Sequence, residues 1–172
     1  EAGNVTPLSL MDVVNDNDNS MYYIVKKLPD ELIDLGRRTV KSFGVKSRFV
    51  HLEFFILNED QEGLGKKGDV LGLEVNMRPA GGFTPEMYNY SQETDVYKIW
   101  ADMIAFDYNT KSIGNSHYCA FYGRRDGKQY RLDDYEVMMK YGQKMVMWGR
   151  IPDALSGAMA NQMYVANFDT EE

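Results

Sequence analysis

The chain has few of the residues from which disulfide frameworks, thiolate metal sites and membrane spans are built. It contains one cysteine, Cys119, and two histidines among its 172 residues. A single cysteine cannot form an internal disulfide, and its place in the apolar run HYCAFYG favours a buried small side chain over a nucleophile. We therefore expect a reducing compartment and a cytoplasmic location. No apolar run approaches the roughly 20 residues of a membrane-spanning helix.

Concentrated positive charge is also lacking. The formal net charge is -7, and no cluster of Lys and Arg is present. Nucleic acids and anionic membranes are bound by concentrated positive charge, so the sequence predicts neither as a partner. The length suits one domain with a true core, or one domain with a small appendage.

What the sequence does contain is two apolar segments, residues 48–57 and 70–78, joined by a charged loop with three glycines. Both segments are rich in β-branched and aromatic residues, which predicts a long antiparallel hairpin. Because side chains alternate across a strand, one face is expected to pack beneath helices. That face holds Val50, Leu52, Phe54, Ile56, Leu71, Leu73, Val75 and Met77.

The other face of the predicted hairpin is polar. It holds His51, Glu53 and Phe55 on the first strand and Gly72, Glu74, Asn76 and Arg78 on the second. If the hairpin is symmetric about Gly63 and Leu64, Glu53 lies opposite Glu74 with Cβ atoms about 5 Å apart, where like charges repel.

Two interpretations of these paired carboxylates remain open. In the first, the carboxylates are solvated rim residues or lie in a slipped register. In the second, they hold a hard divalent cation together with the Asn76 amide oxygen. Polar residues at period two in an otherwise apolar strand favour the cation, with Arg78 nearby for an anion. For His51 a structural hydrogen bond is favoured, because magnesium prefers oxygen ligands to imidazole.

The segments HLEFF and LEVNMRPAGG resemble the metal-binding core of the ATP-grasp ligases, which include carboxylate–amine ligases and carbamoyl-phosphate-synthase-like enzymes. The resemblance extends from about Tyr22 to Asp107. It implies that Glu53, Glu74 and Asn76 bind Mg²⁺, or Mn²⁺, at the phosphates of ATP. It also implies that Arg78 is catalytic and contacts the phosphate or acyl phosphate.

The resemblance implies an ATP-dependent ligase that activates a small-molecule carboxylate as an acyl phosphate for attack by an amine or similar nucleophile. Nothing before residue 20 has the lysine and glycine-rich loop of the first ATP-grasp lobe, so we expect the chain to be a second lobe that needs an N-terminal lobe as its partner. By itself this lobe is expected to be inactive. A homodimer is compatible with this interpretation. The alternative is a non-catalytic ATP-grasp-like module that binds nucleotide or protein.

The predicted fold class is α+β. Residues 1–109 are expected to form the C-terminal lobe of an ATP-grasp domain, a mixed and mainly antiparallel sheet with helices on one face. Residues 110–172 are expected to form a small β-rich subdomain packed on it. The hydrophobic patterns predict strands at 21–28, 118–124, 128–132, 144–149 and 163–168, and helices at 29–44, 91–106, 134–141 and from residue 84.

Overall fold

The computed structural model describes residues 11–16, 19–109 and 116–171, with side chains from residue 21 onward. The strands are β1 (Met11–Asp16), β2 (Asn19–Ile24), β3 (His51–Ile56), β4 (Val70–Asn76), β5 (Tyr118–Arg124), β6 (Met145–Arg150) and β7 (Gln162–Phe168). The helices are α1 (Asp30–Ser42), α2 (Thr84–Gln92), α3 (Val96–Phe106), α4 (Asp134–Tyr141) and α5 (Asp153–Met159).

The strands form two antiparallel sheets. One has five strands in the order β1-β2-β5-β7-β6, and the other is the hairpin of β3 and β4. The predicted α+β class with mainly antiparallel pairing is therefore confirmed. No helix in the described ranges is long and apolar enough to cross a membrane.

The chain divides into two compact units. Their bounds differ from the predicted division, which lay between residues 109 and 110. The hairpin unit comprises Leu28–Ala80 and Trp100–Asn109, and the sheet unit comprises the described residues among 11–27, 81–99 and 116–171. The difference arises because β2 pairs with β5, which brings the N-terminal strands into the sheet of the C-terminal half. For the same reason β2 and β3, which flank α1 in the chain, belong to different sheets.

The core of the sheet unit lies on one face of the five-stranded sheet. Phe121 of β5 is fully buried, and its ring stacks on that of Tyr22 with centroids 4.6 Å apart. Cys119 is also fully buried, as predicted, and burial raises the pKa of its thiol to about 12, so the thiol is unreactive at neutral pH. The core cluster comprises Tyr22, Ile24, Met87, Cys119, Phe121, Ile151, Ala160, Met163 and Val165.

Helices cover both faces of this sheet rather than one. Met87 of α2 lies in the core cluster. On the opposite face, Val137 and Tyr141 of α4 line a cavity together with Tyr122 and Tyr164. Helix α4 begins with a capping box, in which the Asp133 side chain accepts from the N–H of Glu136 and the Glu136 side chain accepts from the N–H of Asp133.

The strand predicted at residues 128–132 is not formed, although Asp126-Gly127 is a strong hairpin signal. Strand β5 already pairs with β2 on one edge and β7 on the other, so no edge remains for a third partner. In place of a strand, the Arg125 N–H donates to the Tyr130 hydroxyl at 2.7 Å. Two short elements, β1 and α5, were not predicted from the sequence.

The carboxylate of Asp134 is expected to make stability depend on acid pH. Hydrogen bonds from Tyr164, Gln162 and Arg124 hold its pKa below the usual value. A lowered folded-state pKa contributes stability that is present above about pH 4 and is lost as the pH falls toward the folded pKa. Asp134→Asn should therefore unfold more easily at pH 7 and show a smaller loss of stability between pH 5 and pH 2.5, measured by urea denaturation across that range. An unchanged pH profile would contradict this prediction.

Candidate functional site

The polar face of the β3–β4 hairpin is the candidate site, and its register is the one predicted. Glu53 pairs directly with Glu74, Leu52 with Val75, and His51 with Asn76. The long connection keeps the two strands aligned, because the Leu57 N–H donates to the Asp69 carbonyl at 3.0 Å and the Gly68 N–H donates to the Leu57 carbonyl at 2.8 Å. The alternative in which β3 and β4 are slipped in register, so that the two carboxylates are not opposite each other, is therefore wrong.

A β-bulge interrupts this hairpin next to the paired carboxylates. Phe54 pairs with Gly72 rather than with Leu73, so Leu73 is the extra residue of β4. Beyond the bulge the alternation of β4 is reversed, which places Leu71, not Gly72, on the face of Glu74. The prediction that Gly72 shares the polar face is therefore wrong.

The bulge also changes which apolar side chains are buried. Leu73, expected in the core, is 53% exposed, and Ile56 near the end of β3 is 58% exposed. Leu52 and Val75, on the near side of the bulge, are half-buried, which is less burial than the predicted core positions would have. An ideal Cβ on Gly36 of α1 would lie 3.5 Å from Leu52 Cδ1, so α1 covers this end of the hairpin closely.

Four polar residues form two adjacent cross-strand pairs on the other face. His51 Nε2 lies 3.6 Å from Glu53 Oε1, a separation suited to an ion pair when the imidazole is protonated. The side chain of His51 is 20% exposed and that of Glu53 is 38% exposed, so the carboxylate remains reachable from solvent. Within the described residues, His51 Nδ1 and Asn76 Nδ2 are buried without a hydrogen-bond partner.

The side-chain oxygen atoms of Glu53, Glu74 and Asn76 are suitable ligands for a hard cation. Two carboxylates paired across a hairpin and one amide are oxygen donors of the kind that magnesium binds. The Asn76 amide nitrogen has no acceptor among the described residues, and a half-turn of the amide would present its oxygen in the same place. Across the described part of the chain, no group of three or more His, Cys, Asp or Glu side chains is arranged to hold a metal ion.

Arg78 is not brought into the strand with the other predicted site residues. Strand β4 ends at Asn76, and the following residues bend before Pro79. The Arg78 side chain is exposed, and its Nη1 donates to the Pro79 carbonyl at 2.9 Å. The predicted alternation therefore does not extend to Arg78, and its contact with a phosphate stays a prediction.

No protein-family model matches the chain, and a comparison with curated proteins finds no match either. The resemblance to ATP-grasp ligases therefore rests on the residues of the hairpin and their order along the two strands.

Proposed function

We propose that the chain is the metal- and phosphate-binding lobe of an ATP-dependent ligase of the ATP-grasp type. The proposal is carried by one observation, the direct pairing of Glu53 with Glu74 beside Asn76, whose amide nitrogen is buried without a partner among the described residues. Two like charges directly opposite each other across a strand pair are unfavourable by themselves, although Glu74 is exposed and the Glu53 side chain is 38% exposed. A bound divalent cation would turn this repulsion into a shared attraction.

In this proposal Glu53, Glu74 and Asn76 hold Mg²⁺ or Mn²⁺, which supplies charge neutralisation at the phosphate oxygens of ATP. The terminal phosphorus–oxygen bond of ATP breaks, and a new bond to a substrate carboxylate oxygen gives ADP and an acyl phosphate. An amine then attacks the acyl carbon, phosphate leaves, and the amine loses a proton. Arg78 would turn from the Pro79 carbonyl toward the transferred phosphoryl group and stabilise its charge.

None of these roles requires a nucleophilic side chain from the hairpin. Phosphoryl transfer is catalysed mainly by positioning and by electrostatic stabilisation, so carboxylates, an amide and an arginine are sufficient chemistry for this lobe. The lysine and glycine-rich loop of such an enzyme would come from a preceding lobe, which is part of the proposal.

The test is an activity assay on the longer protein that contains this chain together with a preceding lobe. With Mg²⁺, ATP and a panel of carboxylic acids, hydroxylamine should trap the acyl phosphate as a hydroxamate. Glu53→Gln and Glu74→Gln are each expected to lower kcat by about 100-fold, since each removes charge that acts on the transferred group. Glu62→Gln, in the exposed loop of the same hairpin, is the matched control and should keep full activity.

Two results would contradict the ligase. Full turnover in Glu74→Gln would show that the paired carboxylates are not at the reacting phosphates. Tight binding of nucleotide without hydroxamate or ADP formation, across the whole panel, would support the non-catalytic nucleotide-binding module instead.

A further inference from the structure

The five-stranded sheet has an aromatic face opposite its core. The alternation of β5 and β7 directs every second residue to this face, and the register aligns them as the pairs Tyr118–Phe168, Ala120–Ala166 and Tyr122–Tyr164. A row with two alanines therefore lies between two rows of aromatic rings. The small side chains leave a depression that the rings surround.

This depression is a cavity of about 720 Å³. Its floor is formed by Ala120 and Ala166, and α4 closes one side with Val137 and Tyr141. Residues 130–132 and 170–171 complete the rim. Cavities of a few hundred to about 1,000 Å³ with mainly apolar walls are the usual size and composition of small-molecule sites.

Protein cations already lie over five of the lining rings. Lys26 Nζ is 5.3 Å from the centroid of Tyr118, Lys140 Nζ is 5.1 Å from Tyr141 and Lys144 Nζ is 4.9 Å from Phe168. The Arg124 guanidinium lies 4.6 Å from the ring of Tyr130 and 5.4 Å from that of Tyr164. Each of these rings therefore has a protein cation over one face, and a cationic ligand would be repelled by the same four side chains.

The acidic groups near this cavity are engaged by neighbouring side chains. Glu171, in the lining, accepts from the Tyr23 hydroxyl at 3.0 Å. Asp134 accepts from Arg124 Nη1 at 2.9 Å and from Tyr164. Among the residues that line the cavity, Arg124 and Arg131 are basic and Glu171 is acidic, so the lining is net positive in a chain whose net charge is -7, and a local field of this kind attracts anions.

We propose that this cavity binds a small planar aromatic molecule that carries an anionic group. The rings of β5 and β7 would stack on the ligand, and the two alanines would leave room for it. The basic lining residues Arg124 and Arg131, with the lysines that lie over the lining rings, would attract its negative charge. The cavity lies wholly within the sheet unit and uses none of the hairpin residues, so this inference is independent of the proposed ligase.

The test uses two fluorescent probes that share one aromatic skeleton and differ by a sulfonate group, anilinonaphthalene sulfonate and the neutral N-phenyl-1-naphthylamine. The sulfonate should bind at one site, at least about fivefold more tightly than the neutral probe, because the positive rim acts on it alone. Ala120→Leu, which fills the floor, should weaken both probes by about tenfold or more. Lys140→Gln with Lys144→Gln should weaken only the sulfonate, and this loss should shrink at high salt.

A variant on a separate apolar surface is the control. Ile104 of α3 is 71% exposed, and Ile104→Ser should leave probe binding unchanged. Loss of binding in Ile104→Ser with retention in Ala120→Leu would overturn the proposal, and so would equal affinity for both probes. If Ala120→Leu fails to fold by circular dichroism, the double lysine variant decides by itself.

Displacement by 2-naphthoate but not by AMP would identify an aromatic acid as the ligand class, and the reverse would identify a nucleotide.

Discussion

Gly123→Ala is expected to destabilise the sheet unit by about 3 kcal/mol. This value is at the upper end of the usual cost of adding a methyl group to a well-packed core. Gly123 is buried in β5, and an ideal Cβ there would lie 2.5 Å from the Met159 carbonyl oxygen and 2.8 Å from Ala160 Cβ. The nearest atom belongs to the backbone, so it cannot rotate away as the end of a flexible side chain could. The end of α5 would have to move.

That movement is resisted by the hydrogen bonds that fix the end of α5. The Asn161 N–H donates to the Arg124 carbonyl at 2.9 Å, and the Ile151 N–H donates to the Asn161 carbonyl at 2.9 Å. Ala160 itself has a φ of 108°, a value that side-chain-bearing residues rarely adopt. The segment is therefore held in a strained conformation directly against Gly123, and it has no relaxed position to move into.

The measurement is urea denaturation followed by the fluorescence of Trp148, which lies on β6 of the same sheet. The matched control is Gly157→Ala in α5, where an added Cβ would meet no atom within 4 Å. This control should be neutral or slightly stabilising, because alanine favours a helix over glycine by up to about 1 kcal/mol. A neutral Gly123→Ala would show that α5 does not pack against β5 as closely as described.

Local sequence patterns were sufficient to predict several strands and helices of the sheet unit. The hydrophobic patterns of Tyr118–Arg124 and Asp134–Tyr141 predicted β5 and α4 with their observed bounds. Pairing partners were not predictable in this way. The Asp126-Gly127 signal is local, whereas the pairing of β5 with both β2 and β7 depends on contacts distant in sequence, and the distant contacts prevailed.

The register of the hairpin at the two carboxylates was predicted correctly, but its β-bulge was not. Symmetry about the glycine-rich loop gave the Glu53–Glu74 pairing, because loop length constrains register in a hairpin. The bulge at Leu73 was not predicted, although an isolated glycine inside a strand, here Gly72, often marks one. It explains why Leu73 is exposed while Val75 is half-buried.

The aromatic cavity could not have been found from the sequence because its shape depends on register. The alternation of Tyr118, Ala120 and Tyr122 was visible, but it is also the pattern of an ordinary amphipathic strand. Only the alignment of Ala120 with Ala166 creates a floor of small side chains between aromatic rows.

Glu74→Gln is expected to abolish the stabilisation of the hairpin unit by divalent cations while leaving its metal-free stability unchanged or slightly higher. In the native chain, a cation at 100 times its dissociation constant should add about 2.7 kcal/mol, because it binds only the folded form. Glutamine keeps the shape of the side chain and removes one of two facing charges, so repulsion with Glu53 falls while a ligand is lost.

The experiment follows urea denaturation by the fluorescence of Trp100 in a Trp148→Phe background, because Trp100 belongs to the hairpin unit and these are the two tryptophans of the chain. Unfolding is measured in EDTA and over a range of Mn²⁺ concentrations. Glu62→Gln removes a charge from the same hairpin without touching the pair, and it should keep the full response to Mn²⁺. If Glu74→Gln instead lowers the metal-free urea midpoint clearly, Glu74 stabilises the hairpin through a protein contact, and the cation assignment loses its main physical support.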